Sequence, residues 1–551
     1  MSLLRATTAG LLLATVPAAG QESPLPDLFT DVIDVRVVNI EVVVTDRQGN
    51  RIRGLEASDF ELHVDGEPVP LDHFTEIDDG RATTSSDSTV GEVPALAPDE
   101  PVGTSFLIFV DELSAIQPHR DRVLAGLQTD LARLGPADRV AIVVYDGYNI
   151  TRVTDWTGSR DQIEDALRQV MEREALGLRR PLGLGTPRDR VQRAVMAATA
   201  AVRSFAAAPG RKVMLLLVEN WKAPGDLRGS GDWPTTWLPD LSVDHLYGPL
   251  VHSANLVGYT LYPVDLPGFR PRHLGTVADA SIGQPAFWSP FSGASFNRYR
   301  GYLRRRGQQG GLFGFHYPNG YFASPSDPEW GEHAVLEFLA HETGGLPMIN
   351  ARRDVAFSEA AADTRSYYWL GFQPQRDEND ELHDIDVRVT GRRDLRVRSR
   401  ESYVDMSKGT EVTMLVEGSL LFGGSPGTEA LKMEFGTPEK AGFRKIAVPV
   451  TVTIPLDDVT LLPLGGQWMN ELELRITVIN ESGDRSETPV RRIPIAGPAA
   501  PQPGQTFVYD TGVVVRKREH RYVAAVYDPL SGAILSAQGT IGPADTVSER
   551  K

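Results

Sequence analysis

The sequence predicts a multidomain chain with a central α/β domain built on a doubly wound, mostly parallel sheet. A small antiparallel β module precedes that domain, and an all-β, sandwich-like region follows it. Three observations carry this. Four runs of consecutive apolar residues, TSFLIFV, RVAIVVY, RKVMLLLV and GYTLYPVD, read as strands buried on both faces of a parallel sheet. Helical stripes lie between them, with Val123, Leu127, Leu131 and Leu134 on one face and Val191, Val195, Ala198, Val202 and Phe205 on another. At 551 residues the chain exceeds a single core, since domains run to roughly 100–200 residues, and its 52 Gly and 39 Pro favour strands and turns over long helices.

In chain order, MSLLRATTAGLLLATVPAAGQE has one cation, Arg5, then an apolar stretch and small residues, the three-part form of a secretory signal over residues 1–20. Its apolar part is shorter than the roughly 20 residues needed to span a bilayer. Residues 27–79 read as the antiparallel β module: VIDVRVVNIEVVVTD alternates, with a phase slip at Val37 and Val38 that suggests a bulge, and DFELHVDGEPV carries an Asp65-Gly66 hairpin signal. Residues 80–103, rich in Ser, Thr, Pro and acids, read as a linker. The α/β domain takes 104–365 and is interrupted by a Gly-, aromatic- and Arg-rich insertion at 270–330. A β extension follows at 366–405, then the C-terminal β region at 409–545, ending in a hairpin around Pro529 to Gly532.

Composition narrows the function classes. A net charge of −17 argues against a general nucleic-acid or anionic-membrane binder, which leaves room only for a local basic patch. The absence of cysteine excludes disulfides, zinc–thiolate sites and thiol catalysis. With the signal-like N-terminus, these features place the chain outside the cytoplasm, periplasmic or secreted.

In a doubly wound sheet, ligands bind beyond the carboxyl ends of the strands. Three such places carry hydroxyl or carboxylate groups: VDELS after the first strand, LGLGTPRD before the long helix and LLLVENW after a central strand. This arrangement resembles the von Willebrand factor type A domain, a Rossmann-like fold, and more narrowly the bacterial, acidobacterial-type proteins related to it. The segments behind the resemblance are VVVTDRQGNRIRGLEASDFELHVDGEPVPLDHF, FLIFVDELS, LVGYTLYPVD, LAHETGG, SYYWLGFQP and VRSRESYVD. They cover about residues 31–405, with a weaker likeness over 410–545.

The resemblance implies a metal-ion-dependent adhesion site in which Asp111 is the first aspartate, Thr186 the loop threonine and Glu219 the third-loop acid. The two serine positions hold Leu113 and Ala115, with Ser114 between them, so the site is degenerate. Its implied ligands are Asp111, Ser114, Thr186 and Glu219, and its implied ion is Mg2+, or Mn2+ or Ca2+, held weakly or not at all. Mg2+ demands near-octahedral oxygen ligation, so water has to replace the lost hydroxyls. The competing reading is capping: Asp111 and Glu219 accept backbone N–H groups at turns and helix starts, and Thr186 caps a helix with Pro187 at its first position.

Other motifs are less specific. GGSPG at Gly423–Gly427 matches G-x-S-x-G, with Asp457 or Asp458 and His520 in the chain order of a serine hydrolase. Pro426 and the surrounding β segments instead favour a hairpin loop for Ser425. His333, His341 and Glu342 lack the second histidine of HExxH, and HETGG reads better as a helix end. In the insertion, Trp288, Tyr299, Arg304 and Arg305 have the residue types of binding hot spots, and with Glu112 they form the expected partner-contact set.

The expectation is therefore an exported, non-enzymatic protein of the adhesion type that binds a protein or glycan partner at the strand-end face. It is expected to bind no nucleic acid and, once mature, to carry no membrane span. The alternatives are a structural envelope scaffold without metal, or a serine hydrolase acting through Ser425.

Overall fold

The computed structural model describes residues 37–83, 99–179, 186–222, 243–267, 328–374, 379–392, 394–480, 486 and 488–542. The signal-like segment and nearly all of the 270–330 insertion fall outside these residues. Val37 and Val38 are described, and the bulge expected there is not seen, since Val38–Val42 pair with Tyr368–Phe372 in unbroken register.

The central sheet has five strands in the order Tyr259–Asp265, Arg211–Val218, Thr104–Asp111, Arg139–Tyr145, Ile150–Thr157. The first four are parallel. The fifth is an antiparallel edge that the sequence reading did not anticipate, because its half-buried residues show no clean alternation. Every residue of Thr104–Asp111 is buried, as its unbroken apolar run predicts for a strand covered on both faces.

One face packs Phe106, Ile108 and Val110 against the helices Gln117–Asp130, Arg160–Glu172 and Ala356–Thr364 through Val123, Leu127, Ile163, Leu167 and Phe357. The other packs Leu107 and Phe109 against Pro187–Ser204, Val243–Val257 and Pro328–Glu342 through Val195, Leu250 and Leu339. The last of these helices ends at Glu342, and Gly344 takes φ 76°, so HETGG is a helix terminus.

The N-terminal β module is not self-contained. Strand Tyr367–Phe372, read from the sequence as part of a separate extension, lies between Val38–Thr45 and His73–Asp78 and pairs antiparallel with both. Leu382–Val389 pairs likewise with Phe60–Val64, whose Asp65-Gly66 turn to Glu67–Val69 is present with both φ positive. The two sheets enclose Ile40, Val42, Leu62, Tyr368, Leu370 and Ile385. Chain-distant strands join because a strand edge buried beside this core needs partners for its N–H and C=O groups.

The C-terminal region carries two further sheets around a core containing Val450, Val452, Leu472, Leu474, Ile493 and Ala524. It is not β throughout. Lys408–Phe422 is an α-helix, capped by Ser407, whose hydroxyl accepts from the Thr410 N–H. Its apolar residues form no single stripe because it is covered from two sides: Met414 belongs to the α/β core, while Val412, Val416 and Leu420 pack on Ile479 and Val523 of the C-terminal sheet. Asp363 ties the α/β domain to the β module. Its carboxylate accepts from Arg398 at 2.7 Å and from the Tyr262 hydroxyl at 2.5 Å, and it pairs with Arg51.

Candidate functional site

The strand Thr104–Asp111 ends in the loop Glu112–Ile116, and the parallel neighbour Arg211–Val218 ends in Glu219-Asn220-Trp221. Their register places Val110 beside Leu217, so the two loops leave the sheet side by side. Asn220 takes φ 62°, a left-handed conformation that Asn tolerates better than most residues. Around it the chain turns Glu219 and Trp221 both inward, each fully buried.

Asp111 is fully buried and its carboxylate is held by protein donors. The indole N–H of Trp221 donates to Oδ2 at 2.9 Å, and the Ser114 N–H approaches Oδ1 at 3.4 Å. Burial raises its pKa to about 6, against the opposing pull of the bonds from Trp221 and Ser114. The Trp221 ring lies 5.7 Å from that of Tyr247, whose hydroxyl donates to the Lys222 carbonyl at 2.8 Å.

Glu219 is equally buried and faces the start of helix Gln117–Asp130. Its Oε2 accepts from the Ile116 N–H at 2.8 Å, and its Oε1 lies 3.1 Å from His119 Nδ1. This helix start has no side-chain cap of its own, so a carboxylate from the adjacent loop meets the N-terminal end of the dipole instead.

Glu112, expected among the exposed partner contacts, is only 1% exposed. It accepts from Arg173 Nε at 2.9 Å and Arg120 Nη1 at 3.2 Å. Burial pushes its pKa up, while the two arginines favour the ionised form. Glu112 is therefore a core anchor and cannot touch a partner. Its place in the sequence, directly after Asp111 at a strand end, gave no sign of arginines eight and 61 residues away.

Thr186 is exposed and belongs to a capping box. Its Oγ1 accepts from the Asp189 N–H at 3.3 Å and donates to Asp189 Oδ2 at 2.9 Å, while its own N–H donates to Oδ2 at 2.8 Å. The structure thus brings Asp111, Ser114 and Glu219 to one end of the sheet. The hydrogen bonds of Thr186 stay within its own helix start. At Glu219 and Thr186 the bonds are those of the capping reading. Among the described residues no group of three or more His, Cys, Asp or Glu side chains is placed to hold a metal ion.

The loop is also covered from outside. After helix Arg160–Glu172 the chain returns across it, with the Leu176 N–H donating to the Glu112 carbonyl at 2.7 Å and the Gly177 N–H to the Ala115 carbonyl at 2.9 Å. The approach requires glycine, since a Cβ at Gly177 would lie 2.4 Å from the Ser114 carbonyl oxygen. Trp221 and this strap are the features sequence reasoning missed. A signal for Trp221 existed, because an indole just past a buried strand needs an acceptor for its N–H.

Trp288, Tyr299, Arg304 and Arg305 lie outside the described residues. Ser425 follows the helix Lys408–Phe422 and bonds the Gly427 carbonyl at 2.6 Å and Ser536 Oγ at 2.5 Å. Ser536 pairs with Ala525, five residues along the strand from His520, a separation of about 16 Å. Asp457 instead accepts from the Gly504 N–H. These three residues form no triad. His333 lies 3.6 Å from Asp265 and His341 3.8 Å from Glu401, so the two histidines face different carboxylates.

No family model matches the sequence, and no curated protein matches it. Among solved structures, the human COPII-coat protein Sec24c is 11% identical over 63% of this chain and 56% of its own, with a TM-score of 0.22. The TFIIH p34 N-terminal domain is 14% identical over 30% of this chain and 81% of its own, with a TM-score of 0.19. A Bacteroides uniformis β-glucuronidase is 11% identical with a TM-score of 0.15, and the match spans 32% of this chain and 19% of that one. Likenesses this slight say nothing of activity, and the reading of the site rests on its own geometry.

Proposed function

We propose that the chain is an exported, non-enzymatic binding protein whose α/β unit is a type A-like domain with a degenerate adhesion site. The domain binds a protein or glycan partner at its strand-end face, with weak metal or none at the degenerate site. One observation carries the reading. The acids at two of the adhesion-site positions, Asp111 and Glu219, already accept hydrogen bonds from Trp221, Ile116 and His119. A hard cation needs carboxylate oxygens turned toward an open position, and here they are directed at fixed protein donors. The order of the type A-like segments, the helix-covered mixed sheet and the signal-like N-terminus support the same reading. No helix among the described residues is long and apolar enough to cross a membrane.

The test combines thermal shift and capture. Mg2+, Mn2+ and Ca2+ are expected to move the melting midpoint of wild type and Asp111→Ala equally or not at all. A partner is expected to be retained from envelope extract with and without chelator. A metal-dependent shift lost in Asp111→Ala would restore the ion to the site. A blank capture alongside metal indifference would favour the scaffold reading.

A further inference from the structure

In the C-terminal β region, strands Glu439–Gly442 and Lys445–Pro455 meet in a two-residue turn, Phe443-Arg444. Two-residue hairpin turns favour Asn and Gly, which take positive φ easily. Here Arg444 takes φ 57°, and Phe443 is 87% exposed with the Arg444 guanidinium 5.1 Å from its ring centroid. Neither residue is explained by packing.

The surroundings of this tip are cationic. Lys440, Arg444 and Lys445 belong to the hairpin, and Arg516, Lys517 and Arg518 to the end of the neighbouring strand Thr506–Arg516. Lys445 stands directly opposite Arg516, and the Lys517 N–H donates to the Arg444 carbonyl at 3.0 Å. Like charges facing each other across a ladder destabilise a sheet. Only Glu439 and Glu519 oppose them in these two segments, in a chain whose net charge is −17. Further along the same strands, Val514 opposite Ala447 is 59% exposed. Local rules broken together, at the expense of stability, mark a functional surface.

We propose that this tip docks on an anionic phospholipid surface, with Phe443 entering the headgroup boundary and the ring of Lys and Arg side chains meeting lipid phosphates. An aromatic wedge bordered by cations is the chemistry of interfacial anchoring. The overall negative charge does not oppose it, since salt screens charges beyond a Debye length of about 10 Å and the tip's own cations dominate at contact. A nucleic-acid surface fits less well, because stacking on successive bases takes several aromatic side chains and the tip offers one.

The test is co-sedimentation of the full chain with phosphatidylcholine vesicles, with and without phosphatidylglycerol, and retention on immobilised heparin. Wild type is expected to bind the anionic vesicles only, in a salt-sensitive way. Phe443→Ala and Lys445→Glu are each expected to lower partitioning about tenfold, the equivalent of roughly 1.4 kcal/mol. Phe443→Tyr is expected to retain binding. Both positions are exposed, so unchanged melting midpoints separate the effect from unfolding. Equal binding to both vesicle types, or undiminished binding by Phe443→Ala, overturns the proposal. Heparin retention without vesicle binding assigns the patch to a soluble polyanion and also overturns it.

Discussion

The indole N–H of Trp221 donates across 2.9 Å to Oδ2 of Asp111, and both side chains are fully buried. A donor that carries no formal charge thus occupies one oxygen of the carboxylate that a type A adhesion site would offer to a cation. Burial raises the pKa of Asp111, and the bond from Trp221 offsets only part of that rise.

That rise makes Asp111 a liability at neutral pH. Its pKa moves from 3.8 to about 6 on folding, so between those values the native state holds more protons than the unfolded chain, and stability falls as pH increases through the window. At 1.36 kcal/mol per unit the loss is on the order of 3 kcal/mol above pH 6. Asp111→Asn keeps an oxygen for Trp221 and removes the charge. Its denaturation midpoint is expected to exceed that of wild type at pH 7.5 and to converge with it near pH 4, as read by urea titration at the two pH values.

Trp221→Phe keeps the ring and removes the donor. Leaving a buried carboxylate oxygen unsatisfied costs about 1–3 kcal/mol. The cost is expected to be larger at pH 7.5, where Asp111 is ionised, than at pH 5, where it is mostly protonated. A loss independent of pH would assign Trp221 a packing role alone.

Asp363 behaves in the opposite sense. Burial works to raise its pKa, but Arg398 and Arg51 outweigh that and hold it well below the ordinary carboxylate range. Its contribution is therefore present above pH 3.8 and lost as pH falls further. Asp363→Asn leaves those guanidinium groups without their carboxylate and is expected to cost about 3–5 kcal/mol. Arg51 belongs to the β module, and Arg398 lies on the strand Arg396–Arg398, which pairs with Val43–Thr45 of that module, so limited proteolysis is expected to release these strands first.

Gly177→Ala tests the strap over the first loop. Its new methyl would lie 2.4 Å from the Ser114 carbonyl oxygen and 2.6 Å from that of Ala115, so the strap has to lift. Hydrogen exchange at the Leu176 and residue-177 amides is expected to accelerate at least tenfold, with little change in the central strands. Unchanged exchange would show that the loops adjust without opening.

By itself the sequence determined the periodic elements: four strands buried along most or all of their length, the helices whose apolar faces cover them, and the Asp65-Gly66 and Pro529–Gly532 turns. It also brought out Asp111, Ser114 and Glu219, because strand ends in α/β sheets follow from local pattern. Period-2 and period-3.6 burial is encoded within a dozen residues and reads directly from order along the chain. Only the tertiary structure decided what those side chains do. Glu112 meets Arg173, Trp221 meets Asp111, and Tyr367–Phe372 enters a sheet with Val38–Thr45, all across separations that no local pattern records. The helix Lys408–Phe422 escaped detection for the same reason, since two cores cover it and erase its stripe. A buried polar group must find its partner wherever the fold supplies one, so the fold, rather than the motif, set the chemistry of this site.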